Sequence, residues 1–209
     1  MTAMEATPCR QIRAFYTDRT IRVYQAYSGA IADSALAAGR FVSPPFKMDR
    51  MTWIKPSFLW MMYRSGWATK PGQGRILGID ISREGFEWAL SHSCLSDFDT
   101  DVYSSREEWE GLKTHCPVRV QWDPERDIAL NRLEYRSLQV GLTGEAVERY
   151  IAEWIHRIED LTGMVAEISR AGESGARMLP IERPYPLPDG IAHTIGSGQP
   201  GTPPDASEE

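Results

Sequence analysis

The residues best suited to chemistry lie between Phe46 and Lys70, where Lys47, Arg50, Lys55, Arg64 and Lys70 stand against a single acid, Asp49, with Trp53, Trp60, Tyr63 and Trp67 between them. Arginine forks grip phosphate oxygens through parallel N–H donors, lysine supplies a point charge, and aromatic faces stack on planar rings. This mixture predicts a pocket for an anionic, planar ligand such as a nucleotide. A helix is predicted to start at Lys55-Pro56-Ser57, because proline is tolerated in a first turn, and its N-terminus would add backbone donors and a positive dipole end. On that helix Ser57 and Trp60, and Trp60 and Arg64, share a face, so a ring and a guanidinium are predicted to converge on one ligand. An alternative stays open for the tryptophans: they fill a core with Phe58, Leu59, Met61 and Met62 while the charges snorkel to solvent.

Upstream, Arg13, Tyr16, Arg19, Arg22 and Tyr24 continue the basic and aromatic theme. On a strand Arg22 and Tyr24 point one way, Val23 and Gln25 the other. Arg136 and Gln139 lie in a second apolar strand. A buried glutamine needs hydrogen-bond partners, so Gln25 and Gln139 are each either a structural bracket or a ligand reader. Other catalytic constellations are not found. His92, His115, His156 and His193 lack metal-ligand spacing, and no metal is expected. Gly72-Gln-Gly74 is a turn and not a phosphate-binding fingerprint, and neither Cys94 nor Cys116 sits in a pattern that favours a thiolate.

The net charge of −6 hides an asymmetry, since residues 10–75 hold eleven Lys/Arg against three Asp/Glu, and the chain after residue 75 holds twelve against twenty-five. Charge this local suits a defined anionic ligand more than unspecific adhesion to nucleic acid. Pairing of the two halves across the fold is the other outcome. Three cysteines without C-x-x-C spacing suggest neither a disulfide framework nor a zinc cluster and fit a cytoplasmic protein. No run approaches the roughly 20 apolar residues of a membrane span, so no membrane partner is expected.

The elements that must position these residues follow from periodicity. Ile21–Tyr27 alternates as a strand, and a helix follows from an N-cap at Ser28 to a left-handed stop at Gly39. The helix after Lys55 runs to Ser65, with Gly66 ending it. Arg75–Ile81 reads as a buried strand, Glu84–Ser91 as a short helix, and 97–101 as an acidic loop. Val118–Trp122 and Leu133–Leu142 form an antiparallel pair around a turn at 123–127. Val147, Tyr150, Ile151, Trp154, Ile155, Ile158 and Leu161 predict one long helix over 144–161. Leu179–Pro188 reads as an extended, proline-spaced strap. The fold class is α+β, a single mixed and mainly antiparallel sheet with flanking helices, in one domain over residues 10–188. Residues 1–9 read as a frayed tail and 189–209 as a disordered acidic one.

The chain resembles the uncharacterised family known as domain of unknown function 4291. The resemblance rests on Ile12–Tyr16, Ile21–Tyr27, Arg50-Met-Thr-Trp-Ile-Lys-Pro-Ser-Phe-Leu-Trp-Met-Met-Tyr-Arg-Ser-Gly-Trp67, Val118–Arg126 and Tyr135–Gln139. That kinship implies no activity. A looser resemblance joins Val23–Ser28, Ile31-Ala32, Ala35-Leu36 and Gly39–Phe41 to the opening of the ADP-ribosyltransferase fold. It implies NAD as cofactor, with Gln25 where such enzymes carry Arg or His and Gln139 near their late polar residue.

The expectation is therefore a nucleotide-binding enzyme, an ADP-ribosyltransferase-like transferase acting with NAD or on the phosphates of nucleotides or RNA ends. Arg22, Lys55 and Arg64 would hold phosphates, supported by Arg13, Lys47, Arg50 and Arg136. Tyr24, Trp53 and Trp60 would meet rings, Ser57 would lie at the helix start, and Gln25, Gln139 and Tyr24 would serve the reacting sugar. A non-catalytic reader of single-stranded nucleic acid and a protein-interaction scaffold remain the alternatives.

Overall fold

The computed structural model describes residues 7–198. In chain order it runs β1 (Arg13–Ala14), β2 (Thr20–Tyr27), α1 (Gly29–Ala38), β3 (Thr52–Ile54), α2 (Phe58–Ser65), β4 (Arg75–Ser82), α3 (Arg83–Ser91), β5 (Ser93–Leu95), α4 (Arg106–His115), β6 (Val118–Arg126) and β7 (Arg132–Leu142). It continues with α5 (Glu145–Arg149), a π-helical turn (Tyr150–Trp154), β8 (Ile155–Asp160), α6 (Thr162–Ala171), a 3-10 segment (Gly172–Met178), β9 (Arg183–Pro184) and α7 (Asp189–Thr194).

The class is α+β and the pairing is mostly antiparallel, but the single sheet predicted from sequence is replaced, among the described residues, by three: β2-β4-β8, β3-β7-β6-β5 and the small β1-β9. The two larger sheets meet at one backbone pair. Tyr24 N–H donates to Lys55 O at 2.7 Å and Lys55 N–H to Tyr24 O at 3.3 Å. The ladder does not continue, because the next β2 donor on that side, Arg22 N–H, is taken by Phe15 O at 2.9 Å and Ser57 turns the chain into α2. The sheets therefore part on either side of Lys55, and the gap between them is where the cavity forms.

β4 occupies the centre of its sheet, and Ile76, Leu77, Ile79 and Ile81 are fully buried, which explains an apolar run too continuous for a half-exposed strand. The predicted hairpin forms as β6 and β7, with β6 running on to Arg126 and the turn displaced to 127–131. Helix α2 matches its sequence signals closely. Ser57 Oγ accepts from Trp60 N–H, and Gly66, at φ 59°, closes the helix in the left-handed region.

The long helix predicted over 144–161 is corrected. It holds only to Trp154, where Val147, Tyr150 and Trp154 do face the core, and then the chain becomes β8. The edge of β4 opposite β2 carries N–H and C=O groups that must be paired, and β8 pairs them from Leu77↔Asp160 to Ile81↔Ile155. A register shift between Asp80 and Ile81 breaks the two-residue alternation in β8, so the segment imitates helical spacing. α4 lies where no helix was predicted. The strap expected over 179–188 is extended, and β9 pairs with β1. Residues 189–194, assigned from sequence to a disordered tail, form α7 instead, anchored by the buried Ile195, whose carbonyl accepts from Trp122 Nε1 at 2.7 Å. The rest of that tail from residue 199, and residues 1–6 at the other end, lie outside the described residues.

Candidate functional site

A cavity of about 690 Å³ opens between the two large sheets. One wall comes from the end of β2 and the start of α1, another from the segment leading into β3, a third from α2 with the 71–73 turn, and the floor from β6 and β7. Of the residues singled out from sequence, Gln25, Lys47, Arg50, Trp53, Lys55, Arg64 and Gln139 line it.

Lys55 is the most telling of these. It follows β3 directly, is only 4% exposed, and its ammonium closes no hydrogen bond or ion pair among the described residues. Burial and the neighbouring Arg64 hold its pKa down at about 8, against the weaker pull of Asp123. Asp123 answers from β6. Gln139 Nε2 donates to its Oδ2 at 2.6 Å and Gln121 Nε2 to its Oδ1 at 3.0 Å, yet burial still pushes its carboxyl up to about 6. Gln121 and Gln139 sit directly opposite each other in the β6–β7 ladder. The result is a positive, poorly solvated floor, with Lys47, Arg50 and Arg64 around it in exposed positions.

Trp53 supplies an aromatic wall. It pairs with Gly141 across β3 and β7, and a Cβ on Gly141 would fall 2.6 Å from Met51 Sδ and 3.0 Å from Trp53 Cη2. Glycine there lets the indole lie against the neighbouring strand.

Gln25 touches the cavity but its amide is engaged on both ends. Its Oε1 accepts from Tyr150 O–H at 2.8 Å, and its Nε2 donates to Tyr27 Oη at 2.9 Å and to Trp53 O at 3.1 Å. At 3% exposure it is a bracket tying β2, β3 and the π-turn together.

The other predicted site residues lie elsewhere. Tyr24 is fully buried with its ring edge-on to Phe58, and its hydroxyl has no partner among the described residues. Arg22 is committed to Asp80 by two bonds of 2.8 Å and to Glu159 at 3.1 Å. Arg136 Nη1 donates to Trp122 O, and Arg13 Nη2 to Glu182 O. Ser57 caps α2. The predicted convergence of Trp60 with Arg64 is corrected: Trp60 stacks on Tyr63 at 5.0 Å beneath Arg126, while Arg64 turns to the cavity. Four residues separate them along the helix, but the indole follows the neighbouring β6 and only the guanidinium reaches the gap between the sheets.

Sequence reasoning passed over Asp123 and Gln121. The signal was present, since in Val118-Arg-Val-Gln-Trp-Asp123 the valines and Trp122 alternate with Arg119, Gln121 and Asp123, which places a polar row on one strand face.

The family described as domain of unknown function 4291 matches residues 11–185, which take in every part of this site. The chain belongs to that family. No curated protein matches it. The comparisons lend no support to the ADP-ribosyltransferase resemblance.

Proposed function

We propose that this member of the family is a nucleotide-binding enzyme and that the cavity between its two large sheets receives a phosphorylated ligand carrying a planar ring, NAD and ADP-ribose among the candidates. The observation that carries this reading is the buried, unpaired Lys55 ammonium on the floor of a cavity that also gathers Lys47, Arg50 and Arg64. An uncompensated buried cation is costly, and an anion arriving from solvent removes that cost. The volume suits a ligand of nucleotide size, and the indole of Trp53 offers its ring a stacking surface. Catalysis would rest on electrostatic positioning by these cations together with the Lys55 amine and the Asp123 carboxyl, whose pKa values are both drawn toward neutrality.

Thermal unfolding against NAD, ADP-ribose, ATP and short RNA tests the reading, because a ligand bound to the folded state raises the midpoint. A rise of several degrees with a mononucleotide or dinucleotide is expected, largely lost in Arg64→Ala. No shift with any phosphorylated ligand would remove the pocket from consideration.

A further inference from the structure

Lys55 differs chemically from the other lysines of the chain. Of the other three, Lys70 donates to the Tyr63 and Arg64 carbonyls at 3.4 and 3.0 Å, Lys113 donates to Ser96 O at 3.0 Å, and Lys47 is exposed at the cavity rim. Lys55 alone is buried, directed into a cavity and without a hydrogen-bond acceptor among the described residues. With its pKa near 8, an appreciable share of it is the free amine at pH 7.5. A free amine attacks carbonyl carbon, and the cations around it would hold a phosphate on the same molecule. With Gln73, Gln121 and Gln139 in its lining, the cavity suits hydroxyl groups better than an apolar chain.

Resting on the anion-pocket reading, we infer that Lys55 is a covalent residue that forms an imine with the anomeric carbonyl carbon of a phosphorylated sugar. Ribose 5-phosphate and the terminal ribose of ADP-ribose belong to this class. The steps balance without an external oxidant or reductant. Lys55 gives one ammonium proton, by way of a water molecule in the cavity, to Asp123, the carboxylate whose charge acts on it. Nζ then bonds to the carbonyl carbon of the ring-opened sugar as the C=O π pair moves to oxygen, and a second Nζ proton passes to that oxygen to give a neutral carbinolamine. Asp123 returns its proton through the same water to the hydroxyl, which leaves as water while the nitrogen lone pair closes the C=N bond. The product is a protonated imine, and Asp123 ends as it began. Arg64 and Arg50 would hold the phosphate and keep the carbonyl within reach.

The test uses the full chain with ribose 5-phosphate and cyanoborohydride at pH 7.5, which reduces an imine to a stable secondary amine, followed by peptide mapping of all four lysines. Labelling of Lys55 at least about tenfold faster than of Lys70 or Lys113 is expected from its larger free-amine fraction. Arg64→Ala should slow that labelling several-fold, unphosphorylated ribose should label slowly, and Lys55→Met should abolish the selective adduct. Inorganic pyrophosphate, measured in parallel by thermal unfolding, separates the two claims. If pyrophosphate raises the midpoint while Lys55 stays unlabelled or reacts no faster than the other lysines, the imine is refuted and the anion pocket stands. If pyrophosphate gives no shift and Lys55 no selective adduct, both fall together.

Discussion

Holding the Lys55 ammonium in place costs the folded protein, and the size of the cost follows from its pKa. A lysine at about 8 in the fold and near 10.5 in the unfolded chain represents about 3 kcal/mol against the charged form. Because the folded pKa is depressed, the stabilising contribution is complete only above the unfolded pKa and is lost as pH falls toward 8. Lys55→Met should therefore be more stable than the parent at neutral pH, with the gain shrinking between about pH 8 and 10.5, as followed by urea unfolding across that range. A stability gain joined to a loss of nucleotide binding is what a ligand-binding charge produces and a structural one does not. A neutral-pH loss of stability would show that Lys55 has found a partner of its own. Gln25 is the opposite kind of residue. Its type and burial invited a role in the reaction, and its bonds to Tyr150, Tyr27 and Trp53 O show an amide spent on architecture.

At the scale of elements, α2 does two jobs with two ends. Its middle sends Met61 and Arg64 to the cavity, and its first turn receives the strap, where Phe58 N–H donates to Glu182 Oε1 at 2.7 Å. Glu182 is half-buried as a residue, but its carboxyl is turned in beside Glu125 and Arg13. Burial drives its pKa up to about 8, the Phe58 N–H bond opposes the rise, and Glu125 adds to it. The folded pKa is raised, so the favourable contribution is complete below the unfolded value near 4.5 and is lost as pH climbs toward 8. Glu182→Gln, which keeps an acceptor for Phe58, should flatten this decline and leave the variant more stable than the parent above about pH 8. A parallel pair of stability curves from pH 5 to 9 would rule out that linkage. The same scale exposes the limit of periodicity. Val147, Tyr150 and Trp154 announce a helix correctly, and Ile155, Ile158 and Leu161 continue the spacing, but the demand of the β4 edge outweighs it. Helix α2 had no such competitor, so its span to Ser65 and its stop at Gly66 were readable from sequence, while the start placed at Lys55–Ser57 shifts to a cap at Ser57 with Pro56 before it.

Across the whole molecule, seven of the eleven basic residues in 10–75 fall into two contrasting groups. Arg10 pairs with Asp99, Arg22 with Asp80 and Glu159, and Arg75 with Asp33 and Asp160, so much of the charge asymmetry is cancelled across the fold. Lys47, Arg50, Lys55 and Arg64 are gathered around one cavity and make no ion pair among the described residues. A groove that tracks a strand needs cations in a row along the surface, whereas these surround a hollow. Binding of a nucleotide should thus weaken only modestly with salt, with a log–log slope of roughly 2 to 3 in magnitude for the few cations displaced. A much steeper slope with RNA than with nucleotides would favour the single-strand reader. The sequence by itself determined the α+β class, strands β2, β6 and β7 beside the site, the span of α2 with its stop at Gly66 and the concentration of charge and aromatic rings, because each is written in local spacing and residue type. Only the tertiary structure decided that the sheet divides in three, that Trp60 and Tyr24 are interior, that Arg22 is spent on Asp80, and that the charge of Asp123 acts on Lys55. Those outcomes depend on which edges pair and which charges meet across tens of residues. Neither is encoded in any window of the chain, and a ladder that stops at the Tyr24–Lys55 pair is enough to open the space where the ligand would lie.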